Sequence, residues 1–149
     1  MFVRDLMTER VIALQPEEDL STASDLMAEN QVRHLPVIDS TGELLGLISH
    51  RDLVKVAYST VDYLPLSDLN QYLRNTKVKE VMTREVETVE PDTTVEDAGL
   101  LMMENKFGCL PVCDGTHLVG ILTEADFVRY VVSLERDLSE EPTAFRRYQ

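Results

Sequence analysis

The apolar positions of this chain change period in a fixed order, and they do so twice. Residues 11–14 (Val-Ile-Ala-Leu) and 86–89 (Val-Glu-Thr-Val) are short extended runs, each stopped by a proline, Pro16 or Pro91, that cannot extend a ladder. Helical spacing follows in Leu20, Ala23 and Met27 and again in Val95, Ala98 and Met102. Thr94 with Asp97 makes a capping box that marks the start of the second of these helices. Apolar strands come next at 34–38 and 109–113, then turns at 39–43 and 114–116, then returning strands at 44–48 and 118–122 that lead into closing helices. The predicted unit is therefore β-α-β-β-α, a mixed α/β arrangement.

The order repeats because the residues repeat. Val3, Met7, Thr8 and Pro16 return as Val78, Met82, Thr83 and Pro91, and Leu35-Pro36-Val37 returns as Leu110-Pro111-Val112. Residues 3–39 set against 78–114 match at fourteen of thirty-seven positions, which marks a duplicated unit. After a one-residue deletion the register becomes 74, and Gly46, Ser49 and Asp52 meet Gly120, Thr123 and Asp126. The chain divides into a first copy at 1–58, an apolar and helical insert at 59–77 that should pack on the pair, a second copy at 78–137, and a tail at 138–149. Stacked arrays usually need three or more units, so exactly two suggest a pair closed around a pseudo-two-fold axis. A half of about 55 residues is marginal alone, and one shared cooperative core is expected.

Composition narrows the partners. The 149 residues carry a net charge of −13, which repels nucleic acid polymers and anionic lipid surfaces. A small phosphorylated ligand stays admissible, since a few local donors dominate within a screening length of about 8 Å. No apolar run approaches a membrane span and no secretory pattern opens the chain, so a cytoplasmic location is expected. Cys109 and Cys113 fall in one strand about 13 Å apart, too far for a disulfide, and should be reduced packing residues. The carboxylates at Glu9, Glu17, Glu18 and Asp19 and at Glu85, Glu87, Glu90 and Asp92 should form solvated faces. His34, His50 and His117 lack metal-ligand spacing, and neither a phosphate-cradling Gly-Lys loop nor a nucleophile elbow is present. No residue set supports catalysis.

The Val-x-x-Val-Met-Thr opening, the Leu-Pro-Val strands and the Gly-hydrophobic-x-Ser/Thr-x-x-Asp junctions, in this order and duplicated, resemble the CBS domain. The family is named after cystathionine β-synthase, and the pair looks like a Bateman module. The resemblance implies tandem β-α-β-β-α units about a pseudo-dyad, two clefts that take adenosine-containing ligands, and association of pairs into flat homodimers. It implies that Asp52 and Asp126 accept hydrogen bonds from ribose hydroxyls, with Ser49 and Thr123 beside phosphate at a helix N-terminus. It also implies base contacts from the 11–14 wall, including Ile12, and from Arg33, His34 and Leu35. The matching residues in the second copy are Glu87, Cys109 and Leu110. Ser-x-x-Asp is equally an ordinary capping box, and a cap and a ribose contact are compatible on one carboxylate.

The two clefts are not expected to be equal. Arg33, His34, His50 and Arg51 converge on the first, whereas the matching residues are Gly108, Cys109, Glu124 and Ala125, with Glu124 repelling phosphate and only Lys106 and Arg129 as nearby cations. An adenine nucleotide (AMP, ADP or ATP, with Mg2+ possible on its phosphates and no required cofactor) is expected at the Asp52 cleft. The Asp126 cleft is expected to take an adenosyl ligand with an uncharged tail, or nothing. Two functions stay open: a regulatory sensor acting on an unknown protein target in trans or through its own oligomer, and a ligand-independent dimeric scaffold with vestigial clefts. The scaffold would work through Val128, Val131, Leu134 and Leu138.

Overall fold

In a computed structural model, residues 1–61 and 64–138 are described, so the tail from 139 onward, with Thr143 to Gln149, lies outside the described residues. The first copy contributes α1 (Val3–Leu6), α2 (Leu20–Asn30), β1 (His34–Ile38), β2 (Leu44–Ser49) and α3 (His50–Val61). The insert forms α4 (Leu66–Asn75), which packs on α2 and α3 with Leu73 against the first core. The second copy repeats the pattern with a 3₁₀ turn (Val78–Glu80), α5 (Val95–Asn105), β3 (Cys109–Asp114), β4 (His117–Thr123) and α6 (Glu124–Leu138). Asp19 caps α2 by accepting from the Thr22 amide at 2.8 Å, and Thr94 caps α5 by accepting from the Asp97 amide at 3.1 Å. Each copy holds one antiparallel hairpin, β1 with β2 and β3 with β4.

The expected first strand of each copy does not form. Residues 11–14 contribute a single parallel bridge, Leu14 to Val37, and residues 86–89 contribute only Val89 to Val112. Prolines cause this on both sides. The Leu14 amide donates to the Pro36 carbonyl at 2.9 Å and its carbonyl accepts from the Ile38 amide at 2.8 Å. Extension toward Ile12 would need a donor from Pro36, and extension past Gln15 would need one from Pro16, and neither has an N–H. Pro111 and Pro91 stop the second copy in the same way. The freed residues run along the surface between the halves.

Instead of one core there are two, each completed by the other copy. Val3, Leu6 and Met7 pack into the core of the second copy, and Val78 and Met82 pack into that of the first. The backbone exchange follows the repeat bond for bond. Val3 and Arg4 donate to the carbonyls of Thr93 and Pro91 at 2.8 and 3.0 Å, while Val78 and Lys79 donate to those of Glu18 and Pro16 at 2.7 and 3.1 Å. Thr8 bridges Ile121 in β4, as Thr83 bridges Leu47 in β2. The hairpin turns also meet, with Leu44 donating to the Thr116 carbonyl and Leu118 to the Gly42 carbonyl.

Several carboxylates expected as solvated faces serve this exchange. Glu17 accepts from Lys77 at 2.5 Å and from Lys79 at 2.6 Å, and those two bonds hold its carboxyl at about 2. Asp92 pairs with Arg4, Glu18 accepts from the Gln15 amide, and Asp19 is the α2 cap.

A glycine admits each exchanged segment. A Cβ on Gly46 would sit 2.7 Å from the Thr83 carbonyl oxygen, a backbone atom pinned in its bridge. On Gly120 the closest atom is the flexible Met7 Sδ, at 2.5 Å, with the Thr8 carbonyl farther away at 3.2 Å. Gly46→Ala should therefore cost about 1–3 kcal/mol by overpacking, and Gly120→Ala less. Urea denaturation of both variants checks this ordering; equal losses would contradict it.

Candidate functional site

The two halves enclose one continuous cleft of about 1100 Å³. Its walls come from the segments the prolines keep out of the sheets, including Val11 and Ile12 from the first copy and Val86 and Glu87 from the second. Its floor and rim come from the strand-to-helix junctions, and both helix-to-strand corners open onto it. Those corners turn through left-handed residues, Gln31 at φ 52° and Lys106 at φ 57°.

Asp52 anchors the first side. Its Oδ2 accepts from the Ser49 amide at 2.8 Å and the Ser49 hydroxyl at 2.9 Å, and its own amide donates back to that hydroxyl at 3.2 Å. The capping box is formed in full. A carboxylate offers about four acceptor sites, and the cap fills two, both on Oδ2. Oδ1 carries no bond among the described residues, and Asp52 is part of the cleft lining.

The donors expected there are present. Arg33, His34, Ser49, His50 and Arg51 all line the cleft, as do Ile12 and, from the second side, Glu87, Cys109 and Thr123. Leu35 and Leu110 do not line it: both are 0 % exposed inside their cores. β1 buries Leu35, Pro36 and Val37 in succession and β3 buries Cys109 through Cys113, with Leu35 and Leu110 packed in the cores of their own copies. Asp126 also stays outside the lining.

At the start of α3, the His50 amide is spent on the Arg33 carbonyl at 2.8 Å and the Asp52 amide on Ser49. The Arg51 amide lies in the same first turn, where helix N–H groups have no intrahelical carbonyl to bond. His34 spans the pseudo-dyad, its ring resting against Gly108, where an added Cβ would come within 2.9 Å of Cε1. Burial lowers the His34 pKa below its ordinary 6.5 against the opposing pull of Asp52 and Glu124, so at neutral pH it is an uncharged donor rather than a cation. The Cys109 thiol is pushed by burial up to about 12 and is inert as a nucleophile.

Arg10 was not among the expected residues. It lines the cleft one place before the 11–14 run, where the matching residue of the second copy is Glu85. Fixed cations in the lining are Arg10, Arg33, Arg51, Lys106 and Arg129, five against the four carboxylates Asp52, Glu85, Glu87 and Glu124. A chain of net charge −13 thus keeps a cleft that is not acidic. Among the described residues no cluster of His, Cys, Asp or Glu is placed to hold a metal ion, and no helix is long and apolar enough to cross a membrane.

The family model for the CBS domain matches residues 3–59 and 78–133. An uncharacterized protein of Methanocaldococcus jannaschii is 31% identical over 89% of this chain and 92% of its own. Other curated relatives are longer, and the chain spans 43% of one and 24% of another. The solved structure of CBSX2 in complex with AMP superposes with a TM-score of 0.75 at 33% identity, covering 90% of this chain and 98% of that one. The CBS domain pair of protein MJ0100, solved with 5′-methylthioadenosine and S-adenosyl-L-methionine, gives 0.72 at 25% identity over 89% and 97% of the two chains.

The state of His34 sets a pH dependence. In the unfolded chain the imidazole titrates near 6.5 and in the folded chain lower, so the unfolded state binds more protons between those values. The contribution is complete above about pH 6.5 and is lost as pH falls from there toward the folded pKa. Urea midpoints measured across this window should decline more steeply for the native chain than for His34→Gln; parallel curves would contradict the assignment.

Proposed function

We propose that this chain, which belongs to the CBS domain family, is a regulatory module that senses an adenine nucleotide of the AMP, ADP or ATP type at the Asp52 side of its cleft. The observation that carries the reading is the half-used carboxylate. Asp52 keeps about two acceptor sites open on Oδ1, which matches the two vicinal hydroxyls of a ribose. Arg51, Arg33 and Arg10 line the same cleft as candidate phosphate partners, joined by the Arg51 amide at the dipole-positive start of α3. Ile12 and Val11 would cover the base. Mg2+ would arrive only with a nucleotide's phosphates and is not otherwise required.

Occupancy would be passed on by shifting the two halves, or two subunits of a homodimer, between arrangements that bind the nucleotide with different affinity. The regulated target would be a separate protein or the oligomer itself, in the cytoplasm. A second reading, a constitutive dimeric scaffold, is favoured by one observation: Val128, Val131, Leu134 and Leu138 form an exposed apolar stripe along α6.

Thermal melting and calorimetry with AMP, ADP, ATP and S-adenosylmethionine separate the two. A nucleotide at a hundred times its Kd should stabilise the fold by about 2.7 kcal/mol, and Asp52→Ala should abolish that shift. If no compound releases heat or moves the melt, the scaffold reading stands and the sensor reading falls.

A further inference from the structure

The two halves differ most at the carboxylates that the repeat makes equivalent. Asp126 is 4 % exposed, and both of its oxygens are engaged. Oδ2 accepts from the Thr123 amide at 2.7 Å and the Thr123 hydroxyl at 3.1 Å, and Oδ1 accepts from Arg129 Nη2 at 2.6 Å and the Thr8 hydroxyl at 3.4 Å. Four donors on a group with about four acceptor sites leave none for a ribose. In the first half, Lys55 stands where the 74-residue register places Arg129, and it makes no hydrogen bond or ion pair among the described residues. The difference is a guanidinium, which reaches back one helical turn and holds a carboxylate where an ammonium does not.

We propose that Arg129 is the specificity-determining residue of the paired cleft: by occupying Asp126 it fills the second ribose position with the protein's own side chain and limits each chain to one nucleotide. The inference rests on the sensor reading above and refines it. A ribose entering the second side must displace a charge-assisted bond from a carboxylate shut away from water, and two hydroxyls replace a cation there at a loss. Thr8 adds a further hold, because it belongs to the opening segment exchanged from the first copy and is fixed by its bridge to Ile121. Arg129 itself lines the cleft, so the ion pair forms part of the second side's wall.

Calorimetric titration of the full chain with AMP and with adenosine tests this. The native protein should bind one AMP per chain and lose it with Asp52→Ala but keep it with Asp126→Asn. Arg129→Lys, which copies Lys55 and retains the charge, and Arg129→Ala should each bind a second molecule of adenosine, which carries no phosphate for Glu124 to repel, and Asp126→Asn should then remove it. Two AMP per native chain, or one adenosine per chain in both folded Arg129 variants, would overturn the inference while leaving the sensor reading intact. Absence of heat from every protein would defeat the sensor reading, and this inference with it.

Discussion

Each half of this protein is finished by the first few residues of the other, and the remaining architecture depends on that exchange. A helix of four residues such as Val3–Leu6 has no stability of its own, since the first turn of a helix costs more than it returns. It persists because Val3 is fully buried in the opposite core, as is Val78 in the reciprocal place. A half of about 55 residues buries too little to be secure alone, and trading openings lets each core borrow apolar surface from its sister. The ion pairs of Glu17 with Lys77 and Lys79, and of Arg4 with Asp92, lie at the entry points of the two exchanged segments. Being exposed, they fix register more than they add stability.

The same exchange makes the cleft. Because the openings cross, the segments that follow them run between the halves, and prolines on both sides of the single bridge keep those segments from joining a sheet. The result is a backbone frame that is nearly symmetric and a set of side chains that is not. Arg10 matches Glu85, Arg33 matches Gly108, and Arg51 matches Ala125. Symmetry supplies two equivalent hollows, and the substitutions give them different chemistry. Asp52, with one oxygen open, and Asp126, with both oxygens filled, are the clearest case.

Much of this was legible in the residues alone. The fourteen matches between copies fixed the pairing, and the Ser-x-x-Asp junction, together with Arg33 and Arg51, pointed to the cleft that the fold then formed. What escaped was set by geometry that periodicity does not encode. A short apolar run at 11–14 reads as a strand until the missing N–H groups of Pro36 and Pro16 are set against it. A single core was expected because nothing local says that Val3 packs with Leu110 and not with Leu35. Leu35 and Leu110 were assigned to the cleft as neighbours of residues that do line it, though each is sealed in the core of its own copy. The Arg129 pair with Asp126 was invisible for a different reason: Lys55 and Arg129 look interchangeable until their reach is measured.

The most direct examination of the account is a crystal structure of the protein grown with AMP. The account predicts one nucleotide per chain, its ribose hydroxyls within hydrogen-bond distance of Asp52 Oδ1, its phosphate toward Arg51, and the pair between Arg129 and Asp126 unbroken. A nucleotide seated on Asp126 with the Asp52 side vacant would contradict it.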